Sequence, residues 1–175
     1  YWFCFELGSN TGKESVKEVI DWSNKQLELL QEYLKNSARL ILTFGTSFGF
    51  FKENKIVGNC HKMNGKLFVK KLSELRDLEK SSFILIRQLK TFNPDLKINL
   101  TVSPVRHIKE GLVENNLSKS LLLLLSKSLE NQFSHIEYLP IYELVIDELR
   151  DYSFYKSDLI HVNEKALIHV FERFS

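Results

Sequence analysis

The chain has 175 residues, 43% of them hydrophobic, which fits one domain with a sizeable buried core. Its 24 basic and 22 acidic side chains leave a formal charge of +2, with Lys scattered among Glu and Asp, so no electrostatic footprint of a nucleic-acid binder is present. Cys4 and Cys60 stand far apart without a CxxC and read as reduced thiols of a cytoplasmic protein. The longest apolar run, "LLLLL" at 121–125, is flanked by Lys119 and Lys127 and falls far short of the roughly 20 residues that span a bilayer.

The chain opens on "YWFCFELGSN", with no methionine and an aromatic, strand-like pattern; this predicts entry in mid-protein, with material upstream. Over 13–36, Val16, Val19, Ile20, Leu27, Leu30 and Leu34 recur mostly at spacings of three and four, which predicts a long amphipathic helix. "ARLILTFGTS" then reads as a buried parallel strand that delivers a loop at its carboxyl end. A hairpin-like excursion follows, with turns at Glu53-Asn54 and Asn64-Gly65. Ser73 is placed to cap a second helix, which must stop before Asn93-Pro94 because the residue ahead of a proline is pushed out of the α region.

"LKINLTVSPV" is a second buried strand, and the polar loop "RHIKEGLVENN" leads into a Leu-rich helix over 117–129. "HIEYLP" gives a third short strand, "IYELVIDELRDY" a helix, and Asn163 a cap for a last helix whose apolar face is Ala166, Leu167, Val170 and Phe171. Strands alternating with helices predict an α/β layer fold with a mostly parallel sheet.

In open parallel sheets, ligands collect at the carboxyl ends of the strands, and three polar segments converge there: "FGTS", "SPVRH" and the loop that holds Asp158 and His161. Across a tight turn the Asp158 carboxylate can accept from one imidazole nitrogen of His161 and leave the other as a base; alternatively Asp158 only makes a turn and His161 a polar contact at the helix cap. In "IVGNCHK", Asn59 and His61 fall on one side of an extended segment, as an oxyanion donor and a substrate ligand, or as a turn Asn and a partly buried His. Ser103, Arg106 and His107 offer a hydroxyl, a fixed charge and an imidazole for positioning substrate, or a plain loop after a strand. The sequence lacks HxH and HExxH, so no metal site is expected, and His135 and His169 read as structural.

The strings "ILTFGTSFGF", "VGNCHK", "TVSPVRHIKEGLVENNLSKSLLL", "YLPIYELVIDELRDYSFY" and "DLIHVN" resemble, in that order, the GSCFA domain family, which is similar to the SGNH-hydrolase superfamily of esterases and lipases. The resemblance covers most of the chain from about Arg39 onward. It implies a three-layer α/β/α fold of the SGNH or flavodoxin-like type, here a single partial domain over 1–175 without its amino-terminal strand and nucleophile block. By the same resemblance His161 is the general base and Asp158 its orienter. "FGTS" matches the superfamily's G-x-N block, giving Gly45 an oxyanion role; Ser47 stands where the Asn would be, and Asn59 becomes the substitute amide donor. His61, Arg106 and His107 are expected to bind substrate.

The motif that names the family, Gly-Ser-Cys-Phe-Ala, occurs nowhere in the 175 residues, so the serine nucleophile is expected upstream. The implied activity is serine-dependent hydrolysis of a small-molecule or carbohydrate ester, or acyl transfer, with no cofactor and no nucleic-acid or membrane partner. The chain alone is expected to be inactive. The alternative is a carbohydrate- or protein-binding module on the same fold, using aromatics around "FGFF" and "RDYSFY". Oligomeric state is left open.

Overall fold

The computed structural model describes residues 1–8 and 12–174. It has two three-stranded sheets. Strands β1 (Arg39–Phe44), β5 (Lys97–Val102) and β6 (Ile136–Tyr138) form a parallel sheet in the order β1-β5-β6. Strands β2 (Phe48–Lys52), β3 (Lys55–Val57) and β4 (Val69–Leu72) form an antiparallel sheet in the order β3-β2-β4. The α/β class and the parallel sheet are as the sequence predicts.

β5 is the central strand of the parallel sheet and is buried from Ile98 to Val102, as a strand covered on both faces should be. Its Ile98 and Leu100 meet Ile86 of α2 (Leu75–Phe92) and Leu125 and Leu129 of α3 (Leu112–Gln132) in one apolar cluster. Each such side chain contributes about 1.5–3 kcal/mol through burial. β1 alternates, so that Leu40, Leu42 and Phe44 pack on this cluster while Ile41 on the opposite face is 59% exposed. On that opposite face, Arg39 donates to Asn99 Oδ1 and Asn99 Nδ2 donates to Glu137 at 3.1 Å. A polar ladder thus crosses the three strands on that face.

The long first helix, α1 (Val16–Asn36), is capped by Ser15, whose hydroxyl accepts from the Glu18 N–H at 3.2 Å. Of its predicted apolar face only Val19 is buried; Val16, Ile20, Leu27 and Leu30 are exposed. The helix is tied down at its carboxyl end, where Asn93 Nδ2 donates to the carbonyls of Leu34 (2.8 Å) and Ser37 (2.9 Å). Asn93 itself follows the end of α2 in extended conformation, as its place before Pro94 requires.

Four expectations are corrected. The opening is no strand: Trp2 pairs with Lys13 in a single bridge, the Leu7 N–H turns back to the Cys4 carbonyl, and Ser9 and Asn10 lie outside the described residues. Ser73 is not a helix cap; its N–H donates to the Ser47 carbonyl, which prolongs the sheet by one residue and leaves Glu74 at the cap position without a side-chain bond. α3 starts at Leu112 because Gly111, at φ 96°, makes the break that frees the helix to begin there. The helix expected over "IYELVIDELRDY" is present but shorter, as one α turn, α4 (Ile141–Glu143), that widens into a π turn (Leu144–Glu148) and ends before Leu149. α5 (Glu164–Phe174) takes its cap from Asn163 as predicted, with Ala166 buried and Phe171 left 71% exposed. Among the described residues no helix is long and apolar enough to cross a membrane.

Replacing Asn93 by Ala removes the donor from three carbonyls at the end of α1, those of Leu34, Lys35 and Ser37. Asn93→Ala is expected to lower unfolding free energy by about 1–3 kcal/mol, read from the urea midpoint at unchanged slope.

Candidate functional site

The last β1–β5 pair is Phe44 with Val102, and the Ser103 N–H extends the ladder to the Phe44 carbonyl at 2.9 Å. Beyond it the two chains part, and the Lys119 ammonium from α3 enters the fork. Its Nζ donates to the Gly45 carbonyl at 2.6 Å and to the Ser103 carbonyl at 2.7 Å. Lys119 is 1% exposed, and burial pushes its ammonium down to about 8 from the usual 10.5.

The residue just before Lys119 on α3, Ser118, fixes the rest of "FGTS". Its hydroxyl accepts from the Ser47 N–H at 2.8 Å, and lies 3.1 Å from the Thr46 hydroxyl and 3.0 Å from the Ser47 hydroxyl. Ser47 is therefore buried against α3 and turned away from solvent. A Cβ built on Gly45 would meet nothing within 4 Å, so this residue borders open space.

The loop after β5 is held from the same helix. The Asn115 side-chain carbonyl accepts from the His107 N–H at 2.9 Å. The His107 imidazole is pushed below its usual range, by burial first and then by Lys119 and Lys70, while a hydrogen bond with the Gly45 backbone opposes the shift. The imidazole is neutral at pH 7. Arg106 lies over the Tyr155 ring at 5.9 Å from its centroid. Lys70 of β4 pairs with Glu110, which joins the antiparallel sheet to this loop.

Asp158 and His161 form a closed unit. Asp158 Oδ1 accepts from the backbone N–H groups of Ile160 (2.9 Å) and His161 (3.0 Å), and Oδ2 accepts from His161 Nδ1 at 2.6 Å. These bonds hold the carboxyl well below the usual range, so it stays ionised. Because a carboxylate only accepts, Nδ1 carries the proton, and in the neutral ring Nε2 is the free base. The turn between them needs Leu159 at φ 57°. It is closed below by the Lys156 N–H to the His161 carbonyl (2.8 Å) and by the Tyr155–Val162 bridge over a cluster of Val145, Leu149 and Ala166.

Asn59 and His61 are arranged differently from the extended segment expected. His61 and Lys62 have φ of 50° and 58°, and Asn59 Oδ1 accepts from the His61 N–H at 2.6 Å, so this is a turn. His61 stacks on Phe3 at 4.3 Å, and its Nε2 donates to the Cys4 carbonyl at 2.8 Å. Gly58 allows the close approach, since a Cβ there would sit 2.8 Å from the Glu6 carbonyl. No hydrogen bond or ring contact joins Asn59 or His61 to Asp158, His161 or Arg106 among the described residues.

Arg106 and Asp158 do come together, in the wall of a cleft of about 810 Å³ that Asn115, Lys119, Tyr142 and Tyr152 also line. Lys119, Asn115 and Ser118 were not singled out by chemistry in the sequence. A signal for them exists: the buried face of α3 runs back from Leu129 through Leu125 and Leu122 to Lys119, Ser118 and Asn115, at helical spacing. Among the described residues no group of three His, Cys, Asp or Glu side chains is arranged to hold a metal.

These features define an α/β protein with a His–Asp pair beside a basic cleft at the carboxyl edge of a parallel sheet. Residues 1–174 match the model of the GSCFA family, and the chain belongs to that family. Neither the curated proteins nor the solved structures contain a match.

The buried ammonium makes a pH signature. Between about pH 8 and 10.5 the unfolded chain holds a proton at Lys119 that the folded chain has released, so this group makes folding more favourable as pH rises through that window. Comparing urea unfolding of the wild type and Lys119→Met at pH 7.5 and 10 should show the wild type gaining relative to the variant at the higher pH. A difference that stays constant contradicts the assignment.

Proposed function

We propose that this chain supplies the general base and its orienter to a serine ester hydrolase of the SGNH type, with the nucleophilic serine outside these 175 residues. The observation that carries the reading is the 2.6 Å contact between Asp158 and His161 Nδ1, which leaves Nε2 as the basic nitrogen at the sheet's carboxyl edge. In this scheme the serine hydroxyl attacks the acyl carbonyl while His161 Nε2 takes its proton, and the Asp158 carboxylate stabilises the imidazolium. The oxyanion is assigned to a backbone N–H at Gly45 and to the Asn59 amide, whose Oδ1 accepts from the His61 N–H and whose Nδ2 is the group that can donate. The alcohol leaves with the proton from His161, and a water molecule releases the acyl group by the same route.

Arg106 and His107 position the substrate, a small-molecule or carbohydrate ester, and His61 contributes from the antiparallel side. The two free cysteines fit a cytoplasmic location. A second reading, a carbohydrate-binding module, draws on Tyr152, which is 67% exposed at the cleft.

With full-length protein and p-nitrophenyl acetate, His161→Ala is expected to reduce kcat by about 10²-fold to 10⁴-fold. Asp158→Asn should reduce it while leaving KM nearly unchanged, because it changes the orientation of the base and not the binding of the ester. Full turnover in His161→Ala would remove the hydrolase reading, and glycan binding indifferent to both substitutions would favour the module.

A further inference from the structure

The cleft beside the His–Asp pair has an unbalanced charge. Its wall contains two cations, Arg106 and Lys119, and one acidic residue, Asp158. Both Asp158 oxygens are already committed, to the His161 imidazole and to two backbone N–H groups. Neither Arg106 nor Lys119 is in an ion pair with a carboxylate among the described residues. Lys119 is satisfied by two carbonyls, which orient the ammonium without neutralising it, and it has one further N–H to give. Arg106 is steadied over the Tyr155 ring, and its guanidinium makes no side-chain hydrogen bond or ion pair among the described residues, which leaves its N–H groups for a ligand.

A charge held in a poorly hydrated wall without a counter-ion is costly, and a ligand that brings the opposite charge recovers that cost on binding. The guanidinium fork matches the two oxygens of a carboxylate. Burial raises the Tyr142 phenol above its usual range, so at neutral pH it faces the same space as an O–H donor. The volume, about 810 Å³, suits a small molecule and lies within the usual range of roughly 300–1,000 Å³ for such sites.

Resting on the hydrolase reading above, we infer that the cleft is an anion subsite in which Arg106 and Lys119 select esters that carry a carboxylate beside the scissile acyl group. Arg106 makes the paired contact and sets most of the preference. Lys119 adds positive charge from the strand fork and holds the wall in shape. A neutral ester of the same size leaves both cations unanswered and binds more weakly.

The test is a titration of isotope-labelled protein, followed by amide chemical shifts, with monomethyl succinate and with dimethyl succinate as probes. The monoanion is expected to bind at least about tenfold more tightly than the neutral diester, corresponding to one charge-assisted hydrogen-bonded contact. Shifts should centre on the 104–108 loop and the first half of α3. Arg106→Gln should abolish the preference and Arg106→Lys retain part of it; the residue lies on a loop outside the apolar core, so both variants fold. His161→Ala should still bind the monoanion more tightly than the diester, which separates this inference from the catalytic one. Equal affinity for the two probes, or a preference unchanged by Arg106→Gln, overturns the anion subsite whatever the fate of turnover in His161→Ala.

Discussion

One ammonium group holds the carboxyl edge of the parallel sheet, and the candidate site on it, together. Two parallel strands that stop making ladder hydrogen bonds expose carbonyls that point into a narrowing fork, and those carbonyls need donors if they are to be buried. Lys119 provides both from a single atom, to Gly45 and to Ser103. A neutral donor of the same reach would satisfy the carbonyls at a lower desolvation cost. The ammonium costs more and brings a positive charge to the one place where three loops meet. Its neighbours on α3 complete the arrangement: Ser118 fixes Thr46 and Ser47, and Asn115 fixes the backbone at His107. The first half of this helix is thus a polar template for the strand ends, and the second half is core.

That division explains what could be read from the sequence. The strands, their parallel character and the order of the polar segments follow from apolar runs that end in Gly, Ser and Pro, which are local signals. Asp158 and His161 were legible for the same reason, since a contact three residues apart is fixed by its own turn. Lys119 was not, because a lysine in "LSKSLL" looks like a solvated charge until its helical face is traced back from Leu129, and the partners that make burial possible are 74 and 16 residues away. Of the two readings given to Asn59 and His61, the structure has the turn Asn beside a partly buried His, and the extended segment that period-two reasoning assumes is not formed. The Asn59 turn is a local signal, while the anchoring of the His61 ring to Phe3 and the Cys4 carbonyl is tertiary. The exposed apolar stripe of α1 makes the converse point: periodicity predicts a helix correctly and says nothing of what, if anything, covers its face.

The two halves of the site are built on opposite principles. The Lys119 fork is dry, and its rigidity comes from side chains reaching across the sequence. The Asp158–His161 unit is half exposed, and its geometry comes from backbone N–H groups within four residues, a left-handed Leu159 and a bridge at its base. An imidazole that must meet a group from elsewhere has to stand clear of the core, so its orientation must be set locally. A cation that would be screened in water has to be buried to act over a few ångströms, so its support must come from far away.

The resolved charge states follow from those supports. Backbone and imidazole donors keep Asp158 anionic well below neutrality, burial and two nearby cations keep His107 neutral, and Lys119 remains mostly protonated at pH 7 because its shift stops at about 8. Near neutral pH these three groups therefore present a fixed pattern: a carboxylate committed to the His161 ring, an uncharged imidazole on the loop after β5, and an unpaired cation in the wall. His107 is uncharged because burial, and after it the charges of Lys119 and Lys70, outweigh the hydrogen bond with the Gly45 backbone, which favours the protonated ring.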